Sequence, residues 1–217
     1  MSAVNRGLKF AIFDMDGTLV DSMSAWFSLS HEYLAEKGVK PPESIYEIVQ
    51  ELSLEETAEL FRSKLGITDS VQKIVADMIG AMGKKYRCNV SEKTGAREYL
   101  KKLFSAGVRM CVATATEEKL AKECLARLGM LELFEFVLSC ENLKTSKCEP
   151  EIYYMCAKQF CAEPAEIAVY EDALYAVKTA RKAGFYTIGF EDELSKNDKA
   201  EIMKISDYYI TGWESVK

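Results

Sequence analysis

The sequence predicts an α/β fold: a doubly wound parallel sheet carrying a small, inserted, all-helical domain. Three observations lead there. The first apolar run, Leu8 to Phe13, is too uniformly apolar for a half-exposed strand and suits the middle of a parallel sheet. From about Asp21 to Asn89, apolar residues recur only at helical spacing. Beyond that stretch helices and short apolar strands alternate, the pattern of βα units whose strands pair in parallel.

Each element has its own signal. The opening strand stops at Asp14-Met15-Asp16-Gly17. Trp26, Phe27, Ser30, Tyr33 and Leu34 outline a first inserted helix, closed by Gly38 with Pro41 and Pro42. Ile45, Ile48, Val49 and Leu52 outline a second. Leu54, Ala58, Phe61 and Leu65 outline a third, ended by Gly66, and Val71, Ile74, Val75, Met78, Ile79 and Met82 a fourth. The rhythm then changes. A helix over Ala96, Tyr99, Leu100, Leu103 and Phe104 ends at Gly107 and leads into a strand, Val108–Ala113. A helix through Leu120, Cys124, Leu125 and Leu128 precedes a short strand, Phe136–Leu138. Ile152, Met155, Cys156 and Phe160 mark a helix before the strand Ile167–Tyr170. Ala173, Ala176, Val177 and Ala180 mark another, stopped at Gly184, before the strands Tyr186–Phe190 and Tyr208–Ile210. The predicted domains are a catalytic core over 1–19 and 90–217 and a helical domain over 20–89.

Composition narrows the function. With 217 residues, 48 % of them apolar, the chain can bury a substantial core and is not disordered. A formal net charge of -6 argues against nucleic acid as a partner, since a polyanion needs a basic surface. It does not argue against a small anion held beside a divalent cation. Without a secretory h-region or an apolar run long enough to span a bilayer, no membrane partner and a cytoplasmic location are expected. Seven Cys with no Cys-x-x-Cys spacing read as reduced thiols. The single His, His31, argues against a zinc site or a Ser-His-Asp triad. A monomer is expected.

In a doubly wound sheet the ligand lies beyond the carboxyl ends of the strands, so the residues that follow each strand matter most. They are Asp14 and Asp16, then Thr114-Ala115-Thr116, then a loop with Lys147, then Glu171-Asp172. Carboxylates, hydroxyls and one amine on a single sheet edge form an inventory for a phosphate and a hard metal. A carboxylate such as Asp14 can attack phosphorus and form an acyl phosphate, splitting one hard step into two. Anion attacking anion is repulsive, by about 4 kcal/mol at about 4 Å and an effective dielectric near 20. Asp14, the backbone carbonyl of Asp16, Asp172 and Glu171 offer the oxygen ligands that Mg2+ prefers. Lys147 adds a positive charge, and Thr114 with neighbouring N–H groups can hold phosphoryl oxygens. Asp16 can protonate the leaving alcohol and later accept a proton from water. Gly17 lets the chain turn sharply beside the metal.

These residues resemble the signatures of the haloacid dehalogenase-like hydrolases. Asp14 to Ser22, DMDGTLVDS, resembles the first motif; Val112-Ala113-Thr114 the second; Ser146-Lys147-Cys148-Glu149-Pro150 the third; and Val169-Tyr170-Glu171-Asp172 the acidic fourth. The resemblance covers the whole chain and implies a Rossmann-like core with a helical cap. It implies a phosphoric monoester hydrolase: a Mg2+-dependent phosphatase with Asp14 as nucleophile, Asp16 as general acid and base, and a small phosphorylated metabolite as substrate. Gly17, Thr114, Ala115, Lys147 and Trp26 are the expected substrate contacts. Within the helical-cap branch the chain is similar to beta-phosphoglucomutase-like and phosphoglycolate phosphatase-like proteins. It departs from the mutase pattern twice. Trp26 stands where a mutase carries a His, twelve residues after the nucleophile, and Leu52-Ser53-Leu54-Glu55 lacks the Arg that grips a second phosphate. Cys148 stands where Pro is usual.

Plainer roles compete. Asp14 and Asp16 would serve as turn residues, Glu171-Asp172 as an acidic helix start, and Thr114 as an N-cap for a helix beginning near Glu117. Trp26 at helical spacing would serve as core, and Lys84, Lys85 and Arg87 as a solvated face. The rival functions are a beta-phosphoglucomutase-type phosphomutase, a metal-independent dehalogenase and a non-catalytic phospholigand-binding protein.

Overall fold

The structure is a computed structural model that describes residues 7–49 and 52–216. It divides into two compact units, one of Met1–Asp21 with Ser91–Lys217 and one of Ser22–Val90.

The larger unit is built on a parallel sheet. Its strands are β1 (Phe10–Phe13), β2 (Arg109–Thr114), β3 (Phe136–Ser139), β4 (Ile167–Glu171), β5 (Tyr186–Phe190) and β6 (Tyr208–Ile210), in the order β3-β2-β1-β4-β5-β6. β1 lies between β2 and β4, with Phe13 opposite Val112 on one side and Tyr170 on the other. Ala11, Ile12 and Phe13 are fully buried, as the uninterrupted apolar run demands. The strand order reverses beside β1, so the crevice of this topology opens at the carboxyl ends of β1 and β4.

In the smaller unit are helices α1 (Met23–Glu36), α2 (Ile45–Val49), α3 (Leu54–Leu65) and α4 (Val71–Cys88). Leu29, Tyr33 and Leu34 of α1, Phe61 of α3 and Ile74, Met78 and Tyr86 of α4 form its core, with Tyr33 stacked on Phe61 at 5.9 Å. Ser53 and Glu56 close a reciprocal capping box at the start of α3, satisfying two otherwise orphaned N–H groups. Leu52, expected in the second helix, sits in a bend; Gln50 and Glu51, which the expected helix would cross, lie outside the described residues.

The helices of the larger unit are α5 (Ala96–Ser105), α6 (Glu118–Arg127), α7 (Cys140–Leu143), α8 (Glu151–Phe160), α9 (Leu174–Lys182) and α10 (Lys199–Ile205). Two differ from expectation by being there at all: α7 and α10 are too short to impose a helical period on the sequence. β1 starts at Phe10 rather than Leu8, and β2, β3 and β4 each run one residue further than the sequence suggested. The cause is pairing: Thr114 is held opposite Ser139, and Glu171 opposite Gly189, inside the ladders. No described helix is long and apolar enough to cross a membrane.

Candidate active site

β1 delivers Asp14. The strand's hydrogen bonding continues one residue past its end, the Asp14 N–H donating to the Tyr170 carbonyl at 2.9 Å, so the carboxylate leaves a fixed backbone. The chain then turns tightly. The N–H groups of Leu19 and Val20 both donate to the Met15 carbonyl, and that of Gly17 donates to the Val20 carbonyl. Gly17 has a φ of 85°, a left-handed conformation that a side chain would strain. Asp16 is half-exposed on this turn. Its Oδ2 accepts from the Thr116 hydroxyl at 2.7 Å and from the Thr114 hydroxyl at 3.4 Å.

Lys147 comes from the loop after α7 and is only 4 % exposed. Its ammonium donates to Asp14 Oδ1 and pairs with Glu171 Oε1 at 2.8 Å. The same Glu171 oxygen accepts from the Tyr153 hydroxyl at 2.8 Å, so α8 braces the end of β4. Asp172 lies one residue further, and its Oδ1 accepts from the Thr18 hydroxyl at 3.4 Å. Carboxylate oxygens of Asp14, Glu171 and Asp172 all lie within 4.8 Å of one another, and all three residues are buried. Asp14 Oδ2 is buried with no hydrogen-bond partner.

Three buried carboxylates facing one ammonium leave two negative charges when all are ionised. At 4.8 Å two unit charges repel by about 3–4 kcal/mol at an effective dielectric near 20. The titration behaviour follows. Burial, then the charges of Glu171 and Asp16, push the Asp14 carboxyl up to about 8 against the pull of Lys147. Asp172 is held well above the carboxylate range by burial and by Asp14, Glu171 and Asp192. Burial opposes the charge on Lys147, but Asp14 and Glu171 outweigh it and hold the ammonium strongly protonated. Such a pocket fits a hard divalent cation: the donors are all oxygen, one stands unpartnered, and the charge deficit matches.

The structure therefore gathers Asp14, Lys147, Glu171 and Asp172 in one cluster, with Asp16, Thr114 and Thr116 adjoining on the sheet edge. Ala115 is exposed between the two threonines. Thr114 does not cap α6: the N-cap position is Glu117, and the Thr114 hydroxyl instead accepts from the Thr116 N–H at 3.0 Å. Trp26 belongs to the smaller unit, partly buried on α1, with its indole N–H donating to the Tyr86 hydroxyl at 2.9 Å. His31 is exposed, and all seven Cys are free thiols, four of them buried. Sequence reasoning missed Tyr153, Thr18 and the bond from Thr116. Thr18 and Thr116 stand within a few residues of flagged positions, and Tyr153 shares a helical face with Cys156, so local signals existed.

The fold is a doubly wound α/β sheet with its acids gathered at one sheet edge. The family model of haloacid dehalogenase-like hydrolases matches residues 11–190, and the chain belongs to that family. It is 27 % identical over 182 residues to the phosphorylated carbohydrates phosphatase of Thermotoga maritima, covering 83 % of this chain and 84 % of that protein. It is 26 % identical over 187 residues to the fructose-1-phosphate phosphatase YqaB of Escherichia coli, covering 80 % of this chain and 91 % of that one. In fold it is similar to the crystal structure of CbbY from Rhodobacter sphaeroides in complex with xylulose 1,5-bisphosphate. That match has a TM-score of 0.79 and 20 % identity, and it covers 96 % of each chain.

Proposed function

We propose that the chain is a Mg2+-dependent phosphatase that hydrolyses a small phosphomonoester, a sugar phosphate, by way of an aspartyl phosphate on Asp14. The observation that carries this is Asp14 itself: one oxygen is held by Lys147 while the other is buried and unpartnered within an acidic cluster. Two relatives named as phosphatases of phosphorylated sugars support the substrate class.

An oxygen of Asp14 attacks phosphorus, and the bond from phosphorus to the ester oxygen breaks. Asp16 gives its proton to the departing oxygen, which leaves as the alcohol. Water then attacks phosphorus, Asp16 takes the water's proton, and inorganic phosphate leaves as the Asp14 carboxylate is restored. Thr116, bonded to Asp16 Oδ2 at 2.7 Å, orients that carboxyl. Lys147 and Thr114 steady the phosphoryl oxygens, with Gly17 and Ala115 leaving the backbone open to them. Asp14, Asp172 and the carbonyl of Asp16, with Glu171 beside them, would hold Mg2+, which when bound shields the negative charge between nucleophile and phosphate.

The helical unit is assigned substrate selection, with Trp26 as its expected substrate contact. Hydrolysis is favoured over a mutase cycle because an indole at position 26, its N–H already engaged by Tyr86, cannot relay a proton as imidazole can. The enzyme works as a monomer in the cytoplasm.

The test is a panel of phosphorylated metabolites assayed for phosphate release with Mg2+, with Asp14→Asn as control. Release by the wild type, its loss in the variant and a phosphorylated Asp14 peptide by mass spectrometry are expected. Near-normal turnover by Asp14→Asn would refute the nucleophile. Conversion of a hexose 1-phosphate to its 6-phosphate would replace the reading with a mutase.

A further inference from the structure

We propose that Trp213 is a positioning residue for the acidic cluster, acting through Thr18 on Asp172; this rests on the reading of Asp172 as a magnesium ligand. Trp213 opens the short turn Trp213–Ser215 that follows β6, and only 2 % of it is exposed. Its indole N–H donates to the Thr18 carbonyl at 2.9 Å, a contact between residues 195 apart in the chain. The turn after Asp14 closes on itself through Gly17, Leu19 and Val20, while the Thr18 carbonyl is taken by Trp213. Because the peptide unit is planar, fixing that carbonyl fixes the orientation of the backbone that carries the Thr18 side chain. That side chain, itself fully buried, donates to Asp172 Oδ1 at 3.4 Å.

The ring side of Trp213 points to the same place. It stacks on Tyr99 at 4.8 Å and Phe190 at 4.6 Å, and lies 5.8 Å from Tyr170 and 6.1 Å from Phe13. Phe13 and Tyr170 are stacked on each other at 4.2 Å, and they immediately precede Asp14 and Glu171. One residue thus supports both strand ends that carry the carboxylates and also pins the turn that follows Asp14. Gly95 makes room for it: a Cβ there would stand 3.3 Å from Trp213 Cβ and from the Glu214 backbone N, at a φ of +83°.

A core Trp with no positioning role predicts a loss of stability and nothing else. The N–H separates the two cases, because Trp213→Phe removes the donor while keeping an aromatic ring in the cluster. Magnesium binding is titrated calorimetrically, without substrate, on wild type, Trp213→Phe, Thr18→Val and the double variant. Hydrolysis by each is measured alongside. Positioning predicts that Trp213→Phe weakens magnesium binding about tenfold. It further predicts that kcat falls more than KM rises, and that the double variant is no worse than Thr18→Val alone. Magnesium affinity within about twofold of wild type, or effects that multiply in the double variant, would overturn it. If Trp213→Phe is unfolded at the assay temperature, Gly95→Ala, which displaces Trp213 without altering it, is judged by the same magnesium titration. A wild type that hydrolyses esters and binds magnesium while Trp213→Phe is unchanged sinks this proposal alone. A wild type that binds no magnesium sinks the phosphatase reading beneath it.

Discussion

Replacing Lys147 with Met should separate what the lysine does for the fold from what it does for the chemistry. The side chain is 4 % exposed and sits between Asp14 and Glu171, the latter at 2.8 Å, with Asp172 in the same cluster. Met is close to Lys in length and apolar, so the change removes a charge while leaving little void. Removing one partner of a buried ion pair typically costs about 3–5 kcal/mol, because the opposing charge is left uncompensated. Here three carboxylates are left. For a chain of this size each kcal/mol moves Tm by about 2–4 °C, so a drop of roughly 6–20 °C is expected in chelator.

Magnesium should offset much of that loss, since a more negative pocket binds a cation more tightly. At a concentration of about 100 Kd, binding to the folded state alone restores about 2.7 kcal/mol. Turnover should not return with stability: loss of a preorganised positive group at the reacting phosphoryl costs about 10²–10³ in kcat. Differential scanning fluorimetry with EDTA and with magnesium, beside a phosphate-release assay, reads all of this. A Lys147→Met protein as stable as wild type in EDTA, with no enlarged magnesium shift, would refute the charge argument.

Further outcomes concern contacts around the cluster and away from it. Tyr153→Phe removes one of the donors to Glu171 Oε1 while Lys147 remains, so unfolding in chelator should show a loss of about 2 kcal/mol; no change would mean that Tyr153 does not brace the site. On the surface, Arg109 forks onto Glu135 at 2.6 and 2.8 Å while lying over the rings of Phe10 and Phe160. The pair is about half exposed, so Glu135→Gln should cost less than about 1 kcal/mol. Arg109→Ala should cost more, because it also uncovers the two rings. The Arg109 bond holds the Glu135 carboxyl below its ordinary 4.5. The wild type's advantage over Glu135→Gln is therefore present above about pH 4.5 and fades as pH falls through the lowered value. Parallel denaturant titrations across pH 3–7 would show a constant gap if that reasoning is wrong.

What could be read from the sequence, and what could not, divides by the range of the interaction. Ala11, Ile12 and Phe13 are buried on both faces of a central strand, and a strand so placed has no polar face to disguise it. The helices of eight or more residues carry enough turns for periodicity to emerge, whereas α7 and α10 are too short to show one. Asp14, Lys147 and Glu171-Asp172 stand out because each lies at a strand end or in the connection that leaves one, and in a parallel sheet those ends share one edge. The braces behind them left no such trace. Tyr153 was hidden in an ordinary helical face, and Trp213 meets Thr18 across 195 residues, a contact that only the closed fold creates.

The same division explains why the acidic cluster can exist in a folded chain. Carboxylates that repel by several kcal/mol would spread apart if they were carried on loops alone. Here Glu171 is the last residue of a paired strand, and Asp14 is bonded through its N–H to Tyr170, so neither backbone can retreat. Beneath them the stacked rings of Phe13 and Tyr170, joined by the Tyr99–Tyr170 hydroxyl contact at 2.8 Å, resist any shift of one strand end against the other. Burial of those rings is non-directional and large, while the repulsion is local and falls when a cation enters. The apolar layer therefore sets the distance between the acids, and the charge on the pocket decides what it binds. Loosening the aromatic layer should weaken cation affinity before it unfolds the protein, and the magnesium titration of the Trp213 variants measures that order directly.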